Sequence, residues 1–391
     1  MVDYEFGFIG YFDRESCDLD EFKVVTSQRL EGYQVPLAAS IAKNVPIYDM
    51  QALRGMLDDT EQRKELMTEW AWVLGRSAGV VVLKGAYADT APVDAATAVF
   101  QQIIADERAA TGGGADHFAA AGANDRIWNS LQKLCERDAS VFARYFGNTA
   151  IAAISEAWLG PNYQMTAQVN QVRPGGAAQQ AHRDYHLGFQ TAAVAETYPA
   201  HMHDLSAALT LQGAVAHSDM PVESGPTKLL PFSQLYRPGY VAWRFEDFRD
   251  YFEENCIQLP LEKGDAVFFN PALFHSAGAN TSADIERMAN LLQISSAFGR
   301  AMESVDRLGM SKRLYPALQA LGEALSPAER SAAIAACGEG YSFPTNLDVD
   351  PPVGGLAPET QAALLARSYA AGDNDTSVTA ALEAQEARRK P

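Results

Sequence analysis

The chain has 391 residues, 47% hydrophobic and 20% charged, which suits a folded protein with a large core in one big domain or two modest ones. Its 31 lysines and arginines against 49 aspartates and glutamates leave a net charge of −18, which argues against nucleic acid or an anionic membrane as partner and weakly favours a neutral or cationic substrate. Four scattered cysteines (Cys17, Cys135, Cys256, Cys337) form no C-x-x-C pair, so reduced thiols in a cytoplasmic compartment are expected. The N-terminal stretch lacks the basic-then-apolar pattern of a signal peptide, and no uninterrupted apolar run nears the roughly 18 residues of a membrane span.

Residues 1–45 read as an irregular or short-strand lead-in. From Asp49 to Ala78 apolar residues recur at helical intervals, with Gly79 closing the segment. GVVVLKG (79–85) is a glycine-bounded β-branched run, hence a buried strand. A helix is predicted over 91–110, broken by Gly112-Gly113-Gly114, and a further helical region over 125–159, ending at Gly160-Pro161. The pattern then changes to strands at 163–172, 205–217, 256–270 and 287–298. Beyond 300 the chain is helical and alanine-rich, with a Pro-Gly break at 351–355 and a charged tail expected to fray. Strands separated by long loops and preceded by helices imply a β-barrel or sandwich carrying a helical layer.

Histidine is scarce, at seven residues. His182 and Asp184 stand two positions apart after the turn Arg173-Pro174-Gly175-Gly176, and His275 follows an apolar strand fed by a polar turn. An imidazole and a carboxylate on one extended segment, completed by an imidazole from a distant strand, make the two-histidine, one-carboxylate face of non-haem Fe(II) oxygenases. His186 keeps the same parity and is read as a ligand, a support for the ligands or a substrate contact, the latter two favoured. His201 and His203 form an H-x-H pair without a third zinc ligand at sensible spacing. His217 is read as a satisfied polar residue at a strand end, and His117 as a residue of the glycine-rich loop region. On a period of two, Arg287, Ala289, Leu291 and Gln293 share one strand face. If that face is interior, an unpartnered Arg287 would cost about 3–5 kcal/mol, which a ligand carboxylate would offset. The alternative is an outward arginine in a surface ion pair.

Four blocks together resemble the phytanoyl-CoA dioxygenase family of Fe(II)/2-oxoglutarate-dependent oxygenases. They are GVVVLKG, RPGG…AHRD, ESGPTKLLPFSQ (223–234), and KGDAVFFNPALFHSAGAN with Arg287. They span about residues 79–298. Two departures stand out: the family's closing glycine-serine-histidine reads Phe232-Ser233-Gln234, and the arginine comes one position late.

The resemblance implies a double-stranded β-helix (jelly-roll, cupin-like) barrel covered by N- and C-terminal helices. Residues 1–78 would form a lead-in and helix packed on the barrel, 79–300 the oxygenase domain, and 301–391 a helical extension. It implies Fe(II) held by His182, Asp184 and His275, with 2-oxoglutarate on Arg287 beside Gln168 and Asn170, and O₂ as oxidant. The outcome would be hydroxylation or oxidative demethylation of a small-molecule substrate with release of succinate and CO₂. Halogenating relatives carry a small residue in place of the carboxylate, so Asp184 points away from halogenation. The flanking helices are expected to shape the barrel mouth or form a homodimer contact. Two other classes share the pattern: a cupin-like hydrolase or isomerase working without O₂, in which Arg287 lacks a role, and a non-catalytic barrel used for binding.

Overall fold

The computed structural model describes residues 10–111 and 124–390. His117 and the glycine triplet lie outside them. The described strands are β1 (Ser40–Ala42), β2 (Val45–Asp49), β3 (Val80–Lys84), β4 (Asn124–Ile127), β5 (Gln164–Val172), β6 (Thr210–Ala216), β7 (Lys228–Leu229), β8 (Ala266–Phe269), β9 (His275–Ser276) and β10 (Arg287–Ser295). Eight form one sheet in the order β1-β2-β3-β8-β6-β10-β5-β4, while β7 and β9 pair separately. Only β2 and β3 run parallel. Isolated bridges from His182 to His275 and from Leu229 to Ile257 widen the small sheet. The chain therefore forms a mixed sheet with flanking helices and a second, smaller sheet. A cavity of about 640 Å³ is lined from both, by Val82, Val267 and Phe269 on one side and Leu229 and Ser276 on the other.

Residue alternation explains why the central strands are apolar throughout. In β3, Val80 and Val82 join the hydrophobic cluster on the cavity side, whereas Val81 and Leu83 join the main cluster with the helices. In β8, Val267 and Phe269 face the cavity and Ala266 and Phe268 the helices. Both faces are buried, so the usual polar alternation disappears. The helical layer contributes Trp70 and Leu74 from Thr60–Arg76, Phe142 and Tyr145 from Ala139–Phe146, and Leu314 from Arg307–Leu321.

Several local expectations are corrected. The lead-in contains a helix, Leu19–Thr26, whose N-cap Asp18 accepts hydrogen bonds from two first-turn amides. The region 125–159 opens with β4, because residues 124–127 pair with β5 at the sheet edge. It then divides into helices Ser130–Arg137, Ala139–Phe146 and Thr149–Leu159, restarted by the N-caps Asp138 and Asn148. Segment 205–217 opens on the end of a helix: Ala200–Ala208, which carries His201 and His203, runs into it before β6 begins. Of 256–270 only β8 is regular strand. Pro260 removes a ladder donor, and Gly264 takes a left-handed φ of 92°. The charged tail does not fray. Helix Asp375–Arg389 buries Val378 and Leu382, Arg388 pairs with Asp350 at 3.2 Å, and Arg389 pairs with Glu339. No described helix is long and apolar enough to cross a membrane, and all four cysteines are free.

His217, just past β6, is enclosed behind the sheet. Thr97 Oγ1 donates to the Val93 carbonyl at 2.7 Å, so His217 Nδ1 donates to Thr97 at 2.7 Å. Nε2 then accepts from the Tyr145 hydroxyl at 2.8 Å, which fixes a neutral imidazole. Burial pushes the His217 pKa down to about 3.

Leu382 is fully buried in the main core. Leu382→Ala is therefore expected to lower stability by about 2–5 kcal/mol, read as a fall in the urea midpoint; a frayed tail would leave it unchanged. Between pH 6.5 and 3 the unfolded chain protonates His217 while the folded chain refuses the proton, so stability falls as pH falls through this window. His217→Gln should flatten that dependence in urea titrations across the same pH range.

Candidate metal centre and cosubstrate pocket

The centre is built on one backbone pair. His182 N–H donates to the His275 carbonyl at 3.0 Å, and His275 N–H donates back to His182 at 3.1 Å. Directly opposed residues of an antiparallel pair project from the same face, which sets the two imidazoles side by side, ring centroids 4.4 Å apart. Asp184, two residues on, shares that face, and its amide donates to the Pro271 carbonyl at 3.0 Å. The turn at 270–273 delivers the partner strand. Asn270 Oδ1 accepts from Ala272 N–H at 2.9 Å, and Asn270 N–H donates to the Gly79 carbonyl at 2.9 Å.

Arg183 points the other way. Its guanidinium is buried between the rings of Tyr240 and Phe274 and donates to the carbonyls of Ser233 at 2.6 Å and Tyr236 at 2.8 Å. Burial pushes its pKa down to about 10, so it stays charged at neutral pH. A Cβ at Gly239 would lie 2.0 Å from its Cζ, so any larger residue there would displace the guanidinium. Arg183 thus ties the ligand segment to the 233–240 loop. In the same loop, Phe232 holds a left-handed φ of 69° at the position where the family's stretch carries glycine. Gln234, in place of the family's histidine, donates to the Ser77 carbonyl at 2.7 Å.

One ligand atom from each of His182, Asp184 and His275 falls within 4.8 Å of the others, and this is the one such His/Cys/Asp/Glu cluster among the described residues. His275 Nε2 is 3.3 Å from Asp184 Oδ2, and His182 Nε2 is 3.6 Å from Oδ1. Both Nδ1 atoms sit 2.8 Å from backbone carbonyls, of Gln180 and Leu273. A carbonyl only accepts, so each Nδ1 carries a proton, and Nε2 is the atom of each ring turned toward the carboxylate and left for a metal. Burial opposes ionisation of Asp184, but the two imidazoles outweigh it and hold the carboxyl far below the usual range. Burial also works against charge on His182, where the Asp184 carboxylate prevails and raises the pKa; on His275 burial, reinforced by His182, lowers it. Nitrogen–nitrogen–oxygen donors, correct tautomers and a pre-ionised carboxylate fit a divalent transition-metal ion.

The large sheet supplies the rest of the cavity. In the β5–β10 register Gln168 faces Leu291, Asn170 faces Ala289 and Val172 faces Arg287. Gln168, Asn170 and Arg287 all line the cavity that also holds the three ligands. Gln168 donates to Gln293 Oε1 at 3.1 Å and accepts from Arg126 at 3.3 Å, while Asn170 Oδ1 is buried without a partner. Arg287 is 7% exposed, and burial pushes its pKa down to about 10. It has no hydrogen-bond or ion-pair partner among the described residues. A charge kept in such a wall is costly, and a ligand anion would offset that cost.

His186 is not brought to the site. Tyr185 and His186 have φ of 60° and 45°, and Tyr185, with ψ of 154°, lies in a region that side chains strain to occupy. The double reversal breaks the two-residue parity. Tyr185 turns into the cavity wall with its hydroxyl buried, while the His186 ring meets Thr210 Oγ1 at 3.3 Å away from the cavity. Burial lowers the His186 pKa. Of the H-x-H pair, His203 is buried in its helix with Nε2 on the Ala195 carbonyl at 3.0 Å.

Sequence reasoning missed Tyr185 and Gln212. Gln212 Nε2 donates to Asp184 Oδ2 at 2.6 Å from the middle of β6. An amide inside an otherwise apolar, fully buried strand was the available signal. Nothing in the local pattern announced Tyr185, because its position depends on the strained turn.

Residues 75–289 match the family described as Phytanoyl-CoA dioxygenase (PhyH). Two curated relatives are similar over shorter stretches. "Dioxygenase trt7" of Aspergillus terreus (strain NIH 2624 / FGSC A1156) is 27% identical over 128 residues, 33% of this chain and 39% of the relative. "Dioxygenase andF" of Emericella variicolor is 27% identical over 139 residues, 34% of this chain and 43% of the relative. The chain thus spans about two fifths of the length of each. Among solved structures, the non-heme alpha ketoglutarate dependent epimerase SnoN from nogalamycin biosynthesis is 21% identical, covering 60% of this chain and 84% of its own, with a TM-score of 0.41. The family match takes in β3, all three clustered ligands and the start of β10, more than half of the sequence, and the chain therefore belongs to the phytanoyl-CoA dioxygenase family.

Proposed function

We propose that the protein is an Fe(II)- and 2-oxoglutarate-dependent oxygenase that hydroxylates, or oxidatively demethylates, a small molecule. The observation that carries this reading is the presence, in one cavity, of a His–Asp–His cluster with both Nδ1 atoms held by backbone carbonyls, so that both Nε2 atoms face the carboxylate, and a buried arginine lacking an anion. Family membership supports iron and 2-oxoglutarate as the cofactors. His182, Asp184 and His275 would hold the iron, which when bound supplies O₂ activation coupled to conversion of 2-oxoglutarate to succinate and CO₂.

The chain's own residues do the remaining work. Arg287 pairs with the far carboxylate of 2-oxoglutarate, fixing which end of it faces the ligand cluster. Asn170, with its unpartnered oxygen, and Gln168 border the same space. Val82, Val267, Phe269 and Leu291 make the wall apolar, limiting water around the reacting groups. Asp184 occupies the ligand position that halogenating relatives leave open, which favours oxygen transfer over halide transfer. A closed double-stranded β-helix around the cavity is part of the same proposal, supported by lining residues from both sheets.

Metal-loaded protein is expected to release succinate from 2-oxoglutarate, and His182→Ala should abolish iron retention measured by elemental analysis. Arg287→Ala should leave iron binding intact and weaken 2-oxoglutarate binding by roughly 10- to 150-fold, the loss of a hydrogen-bonded charge pair. Protein that retains no iron, or an Arg287→Ala variant with undiminished 2-oxoglutarate affinity, would sink this reading.

A further inference from the structure

Gln212 occupies the centre of β6, between Leu211 and Gly213, in a strand whose seven residues are all buried. A neutral amide in this setting is destabilising unless both ends are hydrogen-bonded, and only one is. Nε2 donates to Asp184 Oδ2 at 2.6 Å, whereas Oε1 is buried without a partner. A carboxylate can only accept, so the contact also fixes which end of the amide faces Asp184. The retained interaction is therefore the one to the carboxylate.

The position of Asp184 explains why a support is needed. Its amide bond to the Pro271 carbonyl is followed at once by the left-handed residues Tyr185 and His186, which take the chain out of the extended pairing. Asp184 thus stands at the end of its strand segment. The two oxygens of a free carboxylate are interchangeable by rotation about the Cβ–Cγ bond. Here Oδ2 is engaged by Gln212 at 2.6 Å and lies 3.3 Å from His275 Nε2, while Oδ1 lies 3.6 Å from His182 Nε2. The Gln212 bond reaches Asp184 from the large sheet, across the cavity, and distinguishes the two oxygens.

We propose that Gln212 is the positioning residue of the metal centre, holding the Asp184 carboxylate in the single rotation that lets it bind the cation together with His182 and His275. This inference rests on the oxygenase reading above only in requiring that the three ligands hold a metal. Gln212 touches the carboxylate and not the metal, so its removal acts on affinity through Asp184. Partners of ligating groups characteristically contribute 10- to 100-fold in metal affinity.

The test is calorimetric titration of the full metal-free chain with Co(II) alone, together with its thermal melt and the visible spectrum of the Co(II) form. Gln212→Met keeps the length without the donor, and Gln212→Asn keeps the amide but is one methylene too short to reach. Both are expected to bind Co(II) about 10- to 100-fold more weakly than wild type, with an altered visible spectrum and a metal-free melting temperature close to wild type. Folded variants that bind Co(II) with wild-type affinity and spectrum overturn the role of Gln212, as does a fall in metal-free melting temperature with affinity unchanged. Failure of the wild-type chain itself to bind Co(II) overturns instead the metal-centre reading on which the inference rests.

Discussion

Two backbone hydrogen bonds, exchanged between His182 and His275 at 3.0 and 3.1 Å, are the constraint on which the rest of the site depends. They join segments far apart in sequence and put both imidazoles on one face of a narrow sheet. Asp184 follows from the same register, since a two-residue step along an extended chain returns to the same side. A one-residue slip would turn His182 and Asp184 away and present Arg183 in their place. Much of the surrounding structure guards against that slip. Arg183 is locked on the opposite side by two carbonyls and two aromatic rings, with a glycine at position 239 making room for it.

The large sheet serves this pair from the other side of the cavity. Its strands are buried on both faces, one against the helical layer and one toward the ligands, so polar side chains on the inner face are few and costly. Gln168 and Gln293 bond each other, whereas Arg287 has no anion, Asn170 keeps a bare oxygen and Gln212 bonds the Asp184 carboxylate. The Tyr185 backbone stores local strain next to Asp184, a cost that surrounding packing has to sustain. The net charge of −18 does not describe this interior, which combines Arg287 with a single clustered carboxylate.

Much of this was legible beforehand. Scarce histidines, an H-x-D step and a histidine after an apolar strand suffice to nominate the three clustered residues. Period-two reading of β10 sorts Arg287 to one face with Ala289, Leu291 and Gln293, and the family resemblance names Gln168 and Asn170; pairing in register then turns all three of Arg287, Gln168 and Asn170 toward a common cavity. The errors have separate causes. Residues 124–127 follow a helical pattern yet pair with β5, because an open sheet edge satisfies their backbone. Residues 375–389 are highly charged yet ordered, because Val378 and Leu382 reach the main core. His186 has the right parity, but two left-handed residues cancel it.

The amino-acid sequence by itself determined which side chains could serve as ligands, which segments alternate as strands, and which family the chain resembles, all properties of composition and short-range periodicity. Tertiary structure alone decided that His182 opposes His275, that Gln212 reaches Asp184, and that Tyr185 rather than His186 faces the cavity. The reason is physical. Periodicity reports which face of an element a residue occupies, whereas contact between distant elements depends on pairing register and on single backbone torsions, and neither leaves a repeating trace in the sequence.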